Sequence, residues 1–322
     1  MKVAILGGTG YVGQHLTNEL INQGHVPRLL VRPGSESKLP DAGEFETVTG
    51  DISDRVALTD LLDGADAVIY NIGILREYPS RGISFRELQF IGVKRVAEVA
   101  MSQGTKRFIL MSANGIDQAL TSYQRTKLAA EAHLQGLDLD WTIFRPSVIF
   151  GDPQGREEFA SMLKHQIIDL PLPAPLFHTG LLPRDPGGFA LSPVHVKDVA
   201  TSFVSALEKS ETIRRTYTLG GPQDLTWKQI LETLAEVGGK TKLMLPMPAF
   251  GPAMAASMLD RFSWFPISGD QIRMLLAGNT CRGDEIFELC GIQPKPFATE
   301  QLAYLASAQA PLNHSNQPQR EG

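Results

Sequence analysis

Two cysteines in 322 residues, Cys281 and Cys290, are too few for a disulfide framework, and the eight residues between them match no metal or redox spacing. No uninterrupted apolar run reaches the roughly 20 residues that a membrane-spanning helix needs. Positive charge is not in excess. The net charge is -5, so no overall basic field points to nucleic acid. No Gly-Lys-Ser/Thr follows the first glycines, which excludes a P-loop phosphotransferase. Because the first strand-like run begins at residue 2, no leader peptide is expected. The expected placement is cytoplasmic, with the periphery of the inner membrane as a second placement. What is present is ordinary: 43% hydrophobic and 20% charged residues give ample apolar material for a core. The length suits one large domain or two ordinary ones.

The opening segment MKVAILGGTGYVG is the most informative. Lys2 to Leu6 has the length and composition of a buried parallel strand. It runs into Gly7, Gly10 and Gly13, spaced G-x-x-G-x-x-G, and then into the helical pattern YVGQHLTNELINQG. A strand that stops at glycines and restarts as a helix presents free backbone N–H groups at a positive helix end, which is a diphosphate site. Gly7 permits the tight turn, Gly10 lets backbone approach the pyrophosphate, and Gly13 lets the helix pack on the strand. Thr9, Tyr11 and Val12 lie within the same turn and are candidate contacts.

Strands then alternate with helices: Val26–Val31, Glu46–Thr49, Ala67–Tyr70, Arg107–Met111 and Trp141–Phe144 as strands, Phe85–Gln103 and Tyr123–Gln135 as helices. Such alternation predicts an α/β fold, a doubly wound parallel sheet with right-handed crossovers. Residues 1–150 form the expected dinucleotide-binding domain, completed near 191–221. Residues 151–190 and 222–307 form a smaller substrate and lid region. Prolines and glycines crowd residues 168–193, which read as loop. His195–Leu207 and Thr226–Glu236 read as helices, Tyr217–Gly221 as a short strand and turn, and 241–307 as helical and irregular. The polar tail 308–322 reads as disordered.

Arg32 ends the second strand, where an NAD-specific site usually carries an acid for the adenosine ribose. A guanidinium suits a 2′-phosphate, so NADP(H) is favoured, with NAD(H) as the alternative. Ser35 and Lys38 are candidate helpers. A plain surface arginine after a strand is the competing account. Asp51 and Ile52 end strand three, where adenine would lie. Asn71 and Gly73 follow strand four, beside the dinucleotide. In Tyr123-Gln124-Arg125-Thr126-Lys127, four residues put Tyr123 and Lys127 on one helix face. Ser112, ending strand five, can meet that face. This trio suits acid–base chemistry at a carbonyl or alcohol. A nearby Lys⁺ and an oxidised nicotinamide are both expected to lower the tyrosine below its usual value near ~10.

Together these segments resemble the short-chain dehydrogenase/reductase superfamily in its extended or atypical branch. GGTGYVG, GDIxD at Gly50–Asp54, YxxTK at Tyr123–Lys127, RPSVIFG at Arg145–Gly151, PVHVKDVA at Pro193–Ala200 and YTLGGP at Tyr217–Pro222 carry the resemblance. RPSVIFGDP and SGDQIRMLLAGN at Ser268–Asn279 narrow it towards the nucleotide-binding accessory subunit of respiratory complex I and its bacterial relatives. The resemblance implies a Rossmann domain with a smaller C-terminal substrate region. It also implies catalytic Ser112, Tyr123 and Lys127, Lys127 on the nicotinamide ribose, and nicotinamide contacts from Pro146 to Val148. The serine- and threonine-rich stretch usual after strand five is thin here: MSANGIDQALTSY.

Two function classes follow. One is an NADP(H)-dependent oxidoreductase or epimerase with Tyr123 as acid/base and a small apolar substrate. The other is a non-catalytic nucleotide-binding accessory or assembly protein of a respiratory or quinone-related membrane complex. His195 and Asp198 fit capping and interdomain packing better than catalysis. From Pro252 a helix is expected with Met254, Met258, Leu259 and Phe262 on one face, either packed on the core or serving as an apolar lid. It lacks the Lys/Arg-rich face of an interfacial helix, so membrane association is expected to be weak at most.

Overall fold

In a computed structural model, the described residues are 1–40, 43–178, 180, 182–248 and 269–307. The tail 308–322 and the expected helix after Pro252 lie outside them. The chain opens with β1 (Lys2–Leu6), α1 (Tyr11–Asn22), β2 (Val26–Val31), β3 (Glu46–Thr49), α2 (Arg55–Leu62) and β4 (Ala67–Tyr70). A helical stretch follows, then β5 (Arg107–Met111), α4 (Ser122–Gln135) and β6 (Asp140–Pro146). With the later strand β11 (Arg215–Leu219) these make a seven-stranded sheet in the order β11-β6-β5-β4-β1-β2-β3. Every pair in it is parallel. The order reverses at β1/β4, and such a switch point is where open parallel sheets bind ligands, beyond the carboxyl ends of the strands.

Residues 85–103 are helical, as their periodicity predicts, but in two forms. Arg86–Ile91 is π-helical, and α3 (Gly92–Gln103) continues from it. The wide turn coincides with two polar anchors. Gln89 is buried and donates to the Ile74 carbonyl at 2.9 Å, while its side-chain oxygen accepts from Thr126. π-turns of this kind concentrate at functional sites. Here Gln89 ties the loop after β4 to the helix that carries Tyr123.

Each face of the sheet has its own core. Leu6, Leu58, Val96, Phe108 and Leu134 pack on one side, and Ile5, Leu16, Leu29, Phe144 and Phe203 on the other. The second face is covered by α1 and α6 (Val196–Glu208). A third core joins Phe150, Leu163, Leu176, Trp227, Leu231, Phe297 and Leu302. Around it lie β7 (Ile149–Phe150), α5 (Phe159–Leu163), β8 (Ala174–His178), β9 (Ala190–Leu191), β10 (Val194–His195), β12 (Leu225–Thr226), α7 (Trp227–Val237) and β13 (Met244–Pro248).

The proline-rich segments correct the sequence reading. Residues 168–193, expected as loop, contain β8 and β9, and the start of 241–307, expected as helical, is β13. β8 and β13 pair in parallel as an isolated two-stranded sheet. Both are edge strands, where a proline can turn its missing N–H away from the ladder. Proline counts therefore argued against strand where only a central strand is excluded.

Later come α8 (Gly269–Leu276) and α9 (Asp284–Cys290). His195 caps α6, its Nδ1 accepting from the Lys197 N–H at 3.2 Å. Asp198 accepts from the Lys295 N–H at 2.7 Å and from its ammonium at 3.1 Å. Both residues thus serve capping and packing of a late segment onto the sheet domain.

Candidate functional site

The glycine turn is built by contact. Gly7 has φ +90°, and a Cβ there would lie 2.8 Å from the Asn71 carbonyl oxygen. A Cβ on Gly13 would collide with the Gly7 carbonyl oxygen. At Gly10 the only neighbour is the Gly7 oxygen at 3.3 Å. Fold packing therefore demands glycine at 7 and 13, while the side of Gly10 is an open cradle. Gly10 is also the N-cap of α1, with no side chain closing the helix end. An open cradle at an uncapped helix N-terminus fits a diphosphate. Gly10→Ala should therefore fold with nearly native stability and lose dinucleotide affinity, whereas Gly13→Ala should lose stability, by roughly 1–3 kcal/mol for an overpacked site. Thermal melts paired with dinucleotide titration check this. Equal melting losses in both variants would contradict it.

Around this turn, Asn71 takes its backbone bond from β1 (N–H to Leu6 carbonyl, 2.9 Å) and points its amide at the Gly7 carbonyl, 3.5 Å away. Thr9 is half-buried, and its carbonyl accepts from Arg156 Nε at 3.1 Å. Arg156 Nη2 also donates to the Lys38 carbonyl at 2.9 Å. This strap from the loop after β7 holds the glycine turn and the β2–β3 loop together. No sequence motif marks it. Val12 is half-buried. The Tyr11 ring is turned inward against His15, edge to face at 5.7 Å, and its hydroxyl is buried without a partner. Burial, with Glu158 nearby, drives that phenol far above its usual range. Only the backbone N–H of Tyr11 is thus available to a phosphate.

A cleft of about 530 Å³ opens at the ends of β2 and β3. Arg32, Asp51 and Ile52 line its sheet side. Arg32 is exposed, Ile52 is buried, and Asp51 Oδ1 accepts from the Ser53 N–H and hydroxyl, each at 3.0 Å. Ser35 and Lys38 are not among its lining residues.

The second group gathers at the ends of β4, β5 and β6. A capping box starts α4: the Gln124 N–H donates to Thr121 Oγ1 at 3.2 Å, and Gln124 Oε1 accepts from the Thr121 N–H at 3.0 Å. This fixes the first turn, where Tyr123 sits edge to face on Phe85 at 5.7 Å. One turn later Lys127 is only 3% exposed, and its Nζ donates to the Met111 carbonyl at 2.7 Å. A Cβ on Gly73 would lie 3.8 Å from that Nζ. Lys127 therefore stands between the ends of β4 and β5, beside the site where Gly73 leaves backbone open. Ser112 is held by its N–H to the Phe144 carbonyl at 2.7 Å, and its hydroxyl is buried without a partner. A buried hydroxyl aimed at nothing is an unsatisfied group that a ligand oxygen can complete. Pro146 is buried at the end of β6, and its carbonyl accepts from Asn114 N at 2.9 Å. Val148 is half-buried against the third core.

Burial decides the titrations. It lowers Lys127 to about 8, although Glu131 opposes this, and it raises Tyr123 to about 12. The expected lowering of the phenol is thus reversed in the cofactor-free protein. The ammonium directs its hydrogen bond to the Met111 carbonyl, and desolvation of the ring raises the phenol.

A family model described as NAD(P)H-binding matches residues 7–166, from the glycine turn past the strap at Arg156. Residues 7–166 are an NAD(P)H-binding domain of this family. It is 28% identical over 269 residues to the ceramide reductase of Caulobacter vibrioides, spanning 81% of this chain and 78% of that protein. It is 25% identical over 310 residues to the mitochondrial NADH-ubiquinone oxidoreductase 40 kDa subunit of Neurospora crassa, spanning 94% and 78%. A UDP-glucose-4-epimerase from Stenotrophomonas maltophila, solved with bound NAD, shares the fold at a TM-score of 0.74 and 20% identity, covering 95% of this chain and 97% of that one. A nicotinamide dinucleotide is the cofactor of this NAD(P)H-binding protein. The open cradle at Gly10, the uncapped helix and the orphaned Ser112 hydroxyl fit it.

Proposed function

We propose that this protein is an NADP(H)-dependent oxidoreductase or epimerase acting on a small apolar carbonyl or alcohol. The observation that carries the reading is the buried Lys127 bonded to the Met111 carbonyl beside the orphaned Ser112 hydroxyl, with Tyr123 one helical turn earlier on α4. The bound nicotinamide supplies or accepts the hydride. Tyr123, protonated at neutral pH because its pKa is near 12, gives its proton to the substrate oxygen as the carbonyl is reduced. The Ser112 hydroxyl holds that oxygen. Lys127 holds ribose hydroxyls beside Gly73. A protonated phenol is the form needed for carbonyl reduction.

The similarity to a ceramide reductase supports an apolar substrate. The similarity to the 40 kDa respiratory subunit supports a second reading, a nucleotide-binding accessory or assembly protein of a membrane complex. Among the described residues no helix is long and apolar enough to cross a membrane. We place the protein in the cytoplasm, with weak peripheral contact to the inner membrane and no nucleic-acid partner. NADPH consumption screened against quinones, sterol-like ketones and nucleotide sugars separates the two readings. Tight NADPH binding with no turnover on any of them supports the accessory role.

Cofactor choice rests on Arg32. Native protein should bind NADPH more tightly than NADH, and Arg32→Ala should weaken NADPH about tenfold with NADH unchanged. The lower end of the range for a charge-assisted pair applies, because Arg32 is exposed and screened. Fluorescence titration decides it. Equal native affinities for the two nucleotides would remove the preference for NADP(H).

A further inference from the structure

The cleft beside Arg32 has a second wall that the glycine turn and Arg32 do not account for. It is a flap between β4 and the π-turn, and it carries Arg81, Ser84 and Glu87 into the cleft lining. The flap is a built element. Tyr78 and Ile83 exchange both backbone bonds, at 2.8 and 3.2 Å. Between them Pro79–Arg81 forms one short helical turn, closed by Gly82 at φ +68°. The Arg81 guanidinium lies over the Tyr78 ring, 5.8 Å from its centre. This holds a long side chain in one region and lowers the entropy lost when it binds an anion.

The cleft lining carries two arginines, Arg32 and Arg81, and two carboxylates, Asp51 and Glu87. Glu87 is paired with Arg95, and Asp51 is engaged by Ser53. Among the described residues no carboxylate pairs with Arg32 or Arg81. Two guanidiniums line one cleft without a carboxylate partner, and a phosphate dianion is a ligand that both could grip. The cleft's volume of about 530 Å³ lies in the ordinary range of small-molecule sites.

We infer that Arg81 is a second specificity-determining residue of the adenosine site, gripping a ribose 2′-phosphate from the flap side while Arg32 grips it from the sheet. The inference rests on the NADP(H) reading above and adds a residue to it.

The test uses the full chain and two probes, adenosine 2′,5′-bisphosphate and adenosine 5′-monophosphate. Arg81→Ala should weaken the bisphosphate about tenfold and leave the monophosphate unchanged. Arg81→Lys should restore part of the loss, since a point charge replaces the planar fork. The salt dependence of bisphosphate binding should flatten in Arg81→Ala. Equal weakening of both probes would mean that Arg81 serves the adenine or the folding of the flap, and would overturn the phosphate role. No change in either probe would overturn it as well. If the native protein does not prefer the bisphosphate, the NADP(H) reading falls with it. If it does prefer it and Arg81→Ala keeps the preference, only the Arg81 assignment falls.

Discussion

Tyr123→Phe should cut turnover by about a hundredfold or more while leaving NADPH affinity at its native value. The substitution keeps the ring that packs edge to face on Phe85 and removes only the hydroxyl. The fold and the cofactor site should therefore survive, and the loss should fall on kcat. A positioned general acid is worth roughly 10²–10⁴ in rate. The lower end is expected if water reaches the substrate oxygen, because Tyr123 is half-buried and not sealed. Burial holds the phenol near 12, so the proton to be donated is present throughout the neutral range, and the phenol itself should impose no fall in the reductive rate below about pH 10. The measurement is kcat and NADPH dissociation constant for both proteins on the best substrate found. Full rate in Tyr123→Phe would mean that another group supplies the proton.

The parts of this site that were legible in the sequence are those where backbone geometry restricts residue type. Gly7 and Gly13 are glycine because the Asn71 and Gly7 carbonyls leave no space for a side chain. The first six parallel strands followed from short runs spaced by helical periods, most of them apolar because a strand buried on both faces has few other compositions, whereas β11 was legible only as a short strand and turn. The four-residue step from Tyr123 to Lys127 likewise forces one helix face.

What was hidden depends on contacts distant in sequence. Arg156 reaches Thr9 across 147 positions, and no local pattern announces it. Gln89 reads as one more polar residue on an amphipathic helix until its bonds to Ile74 and Thr126 are seen. Arg81 sits in a stretch, EYPSRG, that reads only as a turn. The expected lowering of Tyr123 rested on a nearby Lys⁺ and an oxidised nicotinamide, whereas the desolvation that raises the phenol here is not visible in a sequence. The edge strands β8 and β13 were missed for a related reason: proline is judged against a ladder whose edges only the fold defines.

Lys127→Met should destroy cofactor binding and yet make the cofactor-free protein more stable at pH 7. The ammonium is 3% exposed, and burial lowers its pKa from 10.5 to about 8. Glu131, one turn further along α4, does little to offset this. Its carboxylate is held by Arg145, Nη2 donating at 2.6 Å and Nε at 3.0 Å. A shift of that size corresponds to about 3 kcal/mol of destabilisation when the lysine is charged. Methionine fills a similar volume without a charge. It forfeits the charge-assisted bond to the Met111 carbonyl, worth about 1.5–3 kcal/mol. The net gain for the variant at pH 7 is then about 0–1.5 kcal/mol. The pH dependence has a fixed sign. A lysine with a lowered folded pKa binds fewer protons folded than unfolded, so native stability rises with pH between the two values. The penalty is complete below about pH 8, shrinks through the window from about 8 to 10.5, and is gone above it. The advantage of Lys127→Met should shrink over the same window and turn into a small deficit, because the lost hydrogen bond remains. Urea denaturation of both proteins at neutral and at alkaline pH reads this directly. A variant less stable than the native protein at pH 7 would show that Lys127 is held there by the fold's own needs. A variant that is more stable but binds no NADPH would identify it as a residue kept charged and buried for the cofactor at the expense of the empty protein.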